Sequence, residues 1–357
     1  MSVMEPPASD ASPTPRRDRA RRQRVARRRG VVLLVALVVV MGLVGSYEYL
    51  SHGVGGPGHD VTIQVTSGES FSSVASKLES TGVISSTWAL RVFDVIHGAP
   101  SPQPGFYTLP SNSTFQAVHD AFGSPPNTMA LEVPAGFTIK EIEKRVASMA
   151  SPSFSSDFRT ALSGGSTRSP FEPSGSTNLE GLVGAGQYLV PPSMSAQALA
   201  TSMVDRFVTQ ATLAGLTPTT TRFGLNSYEL ATVASVVEKE GYLVENMGRV
   251  SRVIENRLGA SIPLQMDSTV LYALGQDGGP VSSATERIVS PYNTYLNRGL
   301  PPTPICTSSQ AALVATMHPT VGSWLYFTLI DKTGKMGFST TFAQQLANER
   351  LAQENGI

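Results

Sequence analysis

Fifteen consecutive positions, Val31-Val-Leu-Leu-Val-Ala-Leu-Val-Val-Val-Met-Gly-Leu-Val-Gly45, carry no polar side chain. After this run the pattern breaks into short periodic pieces. Val61-Thr-Ile-Gln-Val65 alternates with period two and predicts a strand, Gly68-Glu-Ser70 a turn, and residues 72–78 a helix. A second helix is expected over 86–96, a returning strand at Gly105-Phe-Tyr-Thr-Leu109, and another helix over 114–122. The order then partly repeats, with a strand at Ala130-Leu-Glu-Val133, a turn at Pro134-Ala-Gly136 and a helix over 138–149. Residues 151–178 are rich in Ser, Gly and Pro and read as a long, mobile excursion. A helix over 195–214 leads into the last third of the chain.

There, Asn226 followed by Glu229 makes a capping-box-like start, and Gly241 is a sensible stop. At about 100° per residue, Leu230, Val233 and Val237 form an apolar stripe directed inward. Glu238 falls in line with Ala231, Ala234 and Ser235, which places an acid on the floor of a groove lined by small side chains. Glu240 lies about 200° around from Glu238 and points away. Further on come a helix over 250–258, a hairpin formed by 324–330 and 336–338, and a final helix opened by Phe338-Ser-Thr-Thr341.

Charge is segregated. Residues 1–30 hold nine arginines and three acids; removing these from the 27 basic and 27 acidic residues leaves 18 against 24, a net charge of −6. A mildly acidic body argues against a nucleic-acid partner. The arginines instead precede the apolar run. Counted from Gly30 to about Tyr49, that run reaches the roughly 20 residues a bilayer core requires. Arginine on the near side places the N-terminus in the cytoplasm, and Tyr47 and Tyr49 suit the far interface. A cleaved signal peptide is the competing reading, but Gly42-Leu-Val-Gly-Ser46 is a poor cleavage site. A single cysteine, Cys306, excludes an internal disulfide, and the five histidines show no metal-ligand spacing. There is no Ser-x-x-Lys or Gly-x-Ser-x-Gly signature.

The ordered set of C-terminal segments resembles the catalytic domain of the membrane-bound endolytic murein transglycosylases, the YceG-like family. It comprises Glu238 within its helix, Asn256-Arg-Leu258, Leu264-Gln-Met-Asp-Ser-Thr-Val270 with Ser268 where the family has Pro, Tyr292-Asn-Thr-Tyr295 and Gly299-Leu-Pro-Pro302. Departures occur at Thr303 and at Cys306-Thr-Ser-Ser309, where the family has Gly and Asn-Pro-Gly. Leu179-Glu-Gly-Leu182 also resembles a family segment, with Glu180 read as part of a turn without catalytic duty.

The resemblance implies an α+β protein with an N-terminal transmembrane helix, LysM-like modules and a C-terminal mixed α/β transglycosylase domain. The expected layout is a cytoplasmic tail (1–29), an anchor (30–49), a LysM-like module (60–128), a second LysM-like or linking region (129–221) and the catalytic domain (222–357). Glu238 would serve as acid and then base on peptidoglycan glycan strands, giving 1,6-anhydromuramoyl ends without metal or organic cofactor. Gln265, Asp267, Tyr292, Asn293 and Tyr295 would bind the N-acetyl sugars, outside the cytoplasmic membrane and in contact with the synthesis machinery. Asp267 carries two further readings, a helix N-cap or the second carboxylate of a muramidase. A non-catalytic wall-binding scaffold is the remaining alternative.

Overall fold

Ser, Thr and Asn set most of the helix starts, because their side chains accept a backbone N–H that the first helical turn cannot satisfy itself. The computed structural model describes residues 15–52 and 56–357; residues 1–14 of the expected tail, and residues 53–55 between the expected anchor and the first module, lie outside the described residues. The chain divides into two compact units, Met1–Asn127 and Thr128–Ile357.

The first unit opens with α1 (Pro15–Ser51), of which Arg27–Ser51 is long and apolar enough to cross a membrane. There follow β1 (Asp60–Val65), α2 (Phe71–Ser80), α3 (Thr87–His97), β2 (Gly105–Pro110) and α4 (Phe115–Phe122). Ser70, Ser86 and Thr114 cap the three helices. β1 and β2 pair antiparallel, with Ile63 opposite Tyr107, and both side chains enter a core shared with Val74, Leu78, Leu90, Phe115 and Phe122. The strand–helix–helix–strand order is the one expected from the sequence.

The second unit begins with the same order: β3 (Met129–Val133), α5 (Ile139–Met149), α6 (Pro152–Ser163) and β4 (Gly186–Val190), with β3 and β4 antiparallel. The first part of the stretch expected to be a mobile excursion is instead helical, while residues 164–178 carry no regular secondary structure. Ser151 caps α6, and Pro152 occupies its first turn, where a missing N–H costs nothing. Phe158 and Phe171 are buried, and the Phe171 ring stands edge-on to Phe207, 5.2 Å between centroids. Composition concealed Phe154, Phe158 and Leu162, which recur at helical spacing among the serines.

Next come α7 (Ala196–Leu213), α8 (Ser227–Glu240), α9 (Val244–Gly259), α10 (Asp267–Leu274) and α11 (Gln310–Met317). The unit closes with a hairpin of β5 (Tyr326–Leu329) and β6 (Met336–Ser339), and α12 (Phe342–Glu354). The Asn226–Glu229 capping box forms in both directions. α9 starts six residues before the expected 250, because Tyr242 adopts a left-handed φ of 54° and turns the chain straight back from α8.

One core runs from Leu131 on β3 through Phe207 on α7 to Leu230, Ala231 and Ala234 on α8. The division expected at 221/222 thus cuts through continuous packing. The other side of α8, Val233, Val236 and Val237, enters a second cluster with Val250, Ile254, Ile305 and Cys306. α8 is buried on all sides rather than along one stripe. Replacing Phe158 by Ala is expected to cost about 3–5 kcal/mol in chemical denaturation; a change within about 0.5 kcal/mol, as for a surface site, would return this stretch to an excursion.

Candidate active site

Glu238 stands in the last turn of α8, half-buried, and its Oε2 accepts the backbone N–H of Ser309 at 2.9 Å. Ser309 is itself the cap of α11, its Oγ accepting from Ala312 N–H at 3.1 Å. The small residues preceding Glu238 do not form an open floor, which corrects the groove reading. Ala234 and Ser235 are fully buried. Their small size lets the segment 305–309 lie directly on the helix: Ile305 N–H donates to Ser235 Oγ at 3.0 Å, and Cys306 Sγ–H to the Ser235 carbonyl at 3.3 Å.

The far side of this segment is clamped by the β3–α5 turn. Thr307 N–H donates to the Phe137 carbonyl and Gly136 N–H to the Thr307 carbonyl, each at 2.8 Å. Thr307 Oγ1 donates to the Pro134 carbonyl at 3.1 Å. Gly181 presses on the same segment with φ +69°; a Cβ there would lie 2.2 Å from Pro304 Cβ and 2.9 Å from the Cys306 carbonyl oxygen, so only glycine fits. That contact sets the position of the preceding residue, Glu180.

Glu180 is buried, and its two oxygens accept from Ile139 N–H at 3.1 Å and from the Tyr272 hydroxyl at 3.3 Å. Burial pushes its pKa up to about 7, against these two hydrogen bonds and with Glu141 adding repulsion. Tyr272 packs at a tilt on Tyr292, 4.9 Å between ring centroids, and the Tyr292 hydroxyl pairs with Thr303 Oγ1 at 3.0 Å. Glu180 is therefore more than the turn residue expected, since it is joined by a hydrogen bond to Tyr272 and through the Tyr272–Tyr292 ring contact to Thr303.

Asp267 does not cap α10. It is the first residue of that helix, is exposed, and accepts a hydrogen bond from the Tyr295 hydroxyl. The capping is done by Glu240, whose Oε1 accepts Ser268 N–H at 3.0 Å and Ser268 Oγ–H at 2.7 Å. Burial raises the Glu240 pKa, the Ser268 hydrogen bonds oppose this, and the neighbouring Asp267 charge adds to it. Glu240 is thus a tied structural acid joining α8 to α10, not a residue turned out to solvent.

Gln265 is exposed in a left-handed conformation, φ 52°, with its Oε1 accepting from Arg257 Nη1 at 3.1 Å. Its N–H donates to the Thr294 carbonyl at 3.1 Å, and Met266 N–H to Thr294 Oγ1 at 3.0 Å. The loops carrying Gln265, Asp267 and Tyr295 are thereby joined. Asn293 plays another part from the one expected. It is fully buried, Nδ2 donates to the carbonyls of Glu286 and Ile288 at 2.8 Å each, and Oδ1 accepts Tyr295 N–H at 2.9 Å. Both amide hydrogens are spent on its own loop, so Asn293 shapes the loop and does not face a ligand. Sequence reasoning left Thr294, Arg257, Tyr272 and Ser309 without roles, although Thr294, Arg257 and Ser309 lay inside the quoted segments.

The second unit is thus a mixed α/β fold in which the carboxylate ending α8 is anchored on the first turn of α11. The YceG-like family model matches residues 63–351, and the chain belongs to the YceG-like family. A relative from Bacillus subtilis, named endolytic murein transglycosylase, is 27% identical over 299 residues, covering 80% of this chain and 82% of the relative. One of the same name from Streptococcus pneumoniae is 24% identical, covering 78% of this chain and 56% of that longer protein. The crystal structure of a putative YceG-like protein from Listeria monocytogenes aligns with TM-score 0.53 and 25% identity, over 81% of this chain and 99% of that one.

The raised carboxyl groups predict a pH dependence of stability. Glu180 rises from 4.5 to about 7 on folding, Glu255 likewise to about 7, and Glu240 in the same direction. A fold that favours the protonated form is most stabilised below the unfolded value and loses that stabilisation as pH rises through the folded one. The melting temperature should therefore fall between about pH 5 and 8 through these groups. Glu180→Gln should flatten part of the slope and melt higher than wild type at pH 8. An unchanged slope in this variant would contradict the assignment.

Proposed function

We propose that the protein cleaves peptidoglycan glycan strands endolytically by intramolecular transglycosylation, with Glu238 as the proton carrier. The glutamic acid protonates the glycosidic oxygen, and the bond from that oxygen to the anomeric carbon breaks as oxocarbenium character develops. The muramoyl 6-hydroxyl then attacks the anomeric carbon and gives its proton back to Glu238, closing a 1,6-anhydro ring. The carboxyl is regenerated and no water is consumed. Ser309 N–H holds Oε2 in place, leaving Oε1 to carry the proton.

The observation that supports this reading is that the two candidate acids are held by different partners. Glu238 is anchored on Ser309, whereas Asp267 is engaged by the Tyr295 hydroxyl and sits exposed at the start of α10. A muramidase needs the second carboxylate as nucleophile or water-activating base; Asp267 is better suited to bind sugar hydroxyls together with Gln265, Tyr292 and Tyr295. The names of the B. subtilis and S. pneumoniae relatives supply the substrate class. α1 would anchor the chain with its N-terminus in the cytoplasm and the body outside. The strand–helix–helix–strand units would serve as LysM-like modules that hold the glycan.

Incubating the full chain with uncrosslinked glycan strands and analysing the products by mass spectrometry tests the reading. Internal cuts ending in 1,6-anhydromuramoyl residues are expected. Reducing ends would point to a muramidase, and uncut strands to a scaffold; either would overturn the proposal.

A further inference from the structure

The end of α1 is built into the first unit rather than hanging free of it. Tyr47 and Leu50 pack on that unit's core. The Leu50 carbonyl accepts Ser85 Oγ–H at 3.0 Å, and the Tyr47 ring lies 6.5 Å from Phe115. Ser85 comes just before the cap of α3, while Phe93, two turns into α3, meets the same Phe115 ring at 6.1 Å. Advancing along α3 from Ser85 to Phe93 therefore retraces α1 from Leu50 to Tyr47. α3 runs back toward the apolar span.

Its far end is unusually apolar for a surface. Val95 is 86% exposed and Ile96 67% exposed. They lead into Gly98-Ala-Pro-Ser-Pro-Gln-Pro104, and no Asp, Glu, Lys or Arg occurs between Asp94 and Asp120. Asp94, on the same turn, is half-buried beside His119. At about 1.5 Å per helical residue, Val95 and Ile96 lie roughly 3–5 Å beyond Phe93. That places them on the side of Phe93 away from Ser85, in the direction that leads along α1 from Leu50 to Tyr47 and the span.

We propose that Val95 and Ile96, the tip of α3, insert into the lipid interface beside α1, giving the first unit a second attachment to the bilayer. The proposal rests on α1 being a membrane span. A lone helix leaves the body it carries free to tilt and turn. A second apolar contact a short way off removes that freedom and holds the unit at a set attitude to the membrane. The occupant is a lipid surface and not another protein because the patch continues from the span itself, is small, and is bordered by an uncharged, proline-rich loop.

Single spin labels in the full chain, reconstituted in phosphatidylcholine–phosphatidylglycerol vesicles, test this directly. The native thiol, Cys306, is buried and will not compete for label. Labels would be placed through Val95→Cys and Ile96→Cys, with Ser76→Cys, exposed on α2, as the aqueous reference and Val38→Cys as the lipid reference. Collision rates with oxygen and with a water-soluble nickel chelate report depth. The oxygen-to-nickel ratio at 95 and 96 is expected to exceed that at 76 several-fold. A ratio at both sites equal to that at 76, with 38 in lipid, would overturn the second attachment alone. Aqueous ratios at 38 as well would overturn the anchor on which it rests.

Discussion

The site depends on one close contact, the laying of residues 305–309 across the end of α8. Ala234 and Ser235 are small enough to admit a backbone at the helix surface, and Ser235 supplies the hydroxyl that accepts Ile305 N–H. Once the segment is seated there, Ser309 N–H meets the Glu238 carboxylate one turn further along the helix. A larger side chain at 235 would lift the segment and leave buried backbone groups unpaired, at about 1–3 kcal/mol each. The same segment is held from the opposite side by Thr307 and by the glycine-only contact at Gly181. Glu238 and Glu180 thus approach one strip of chain from two flanks. The Cys306 thiol on that strip is raised in pKa by its burial first, with Lys239 opposing and Glu238, Glu180 and Glu141 adding to the rise.

This contact explains why α8 has no polar face. Two clusters close over it, one shared with the strand–helix–helix–strand element and one with α9 and the 305–306 stretch. The element that reads as a separate module is therefore structural support for the acid, since its β3–α5 turn clamps Thr307. Order along the chain suggests two bodies meeting near 222, but packing makes them one.

Local chemistry was readable from the sequence wherever a local rule decides the structure. The capping box at Asn226 and Glu229 and the caps at Ser86, Thr138 and Thr341 use partners three residues away, and the hairpin after Trp324 pairs strands adjacent in sequence, Leu329 with Met336. Where a distant group competes, the local rule fails. Asp267 has the right identity and place for a cap, yet Glu240, 28 residues earlier in sequence, takes the Ser268 N–H. Asn293 has the amide a sugar site needs, yet the carbonyls of Glu286 and Ile288 consume it. The alanines beside Glu238 read as space for a ligand and turn out to be space for the chain itself. Glu180 appeared in a suggestive motif, but its burial and its link to Tyr272 exist only in three dimensions. The Ser- and Pro-rich region failed for another reason: average composition hid three apolar residues at helical spacing.

The central claim is that one carboxyl group, Glu238, carries the proton in both halves of the reaction. The rate of 1,6-anhydromuramoyl end formation by Glu238→Gln, compared with wild type at equal melting temperature, tests it most directly. Glutamine keeps an oxygen for Ser309 N–H and the same volume, but it has no proton to deliver to the leaving oxygen. The account predicts a loss of about 10²–10⁴-fold with no change in folding. A rate within a few-fold of wild type would show that another group transfers the proton, and the account would be wrong.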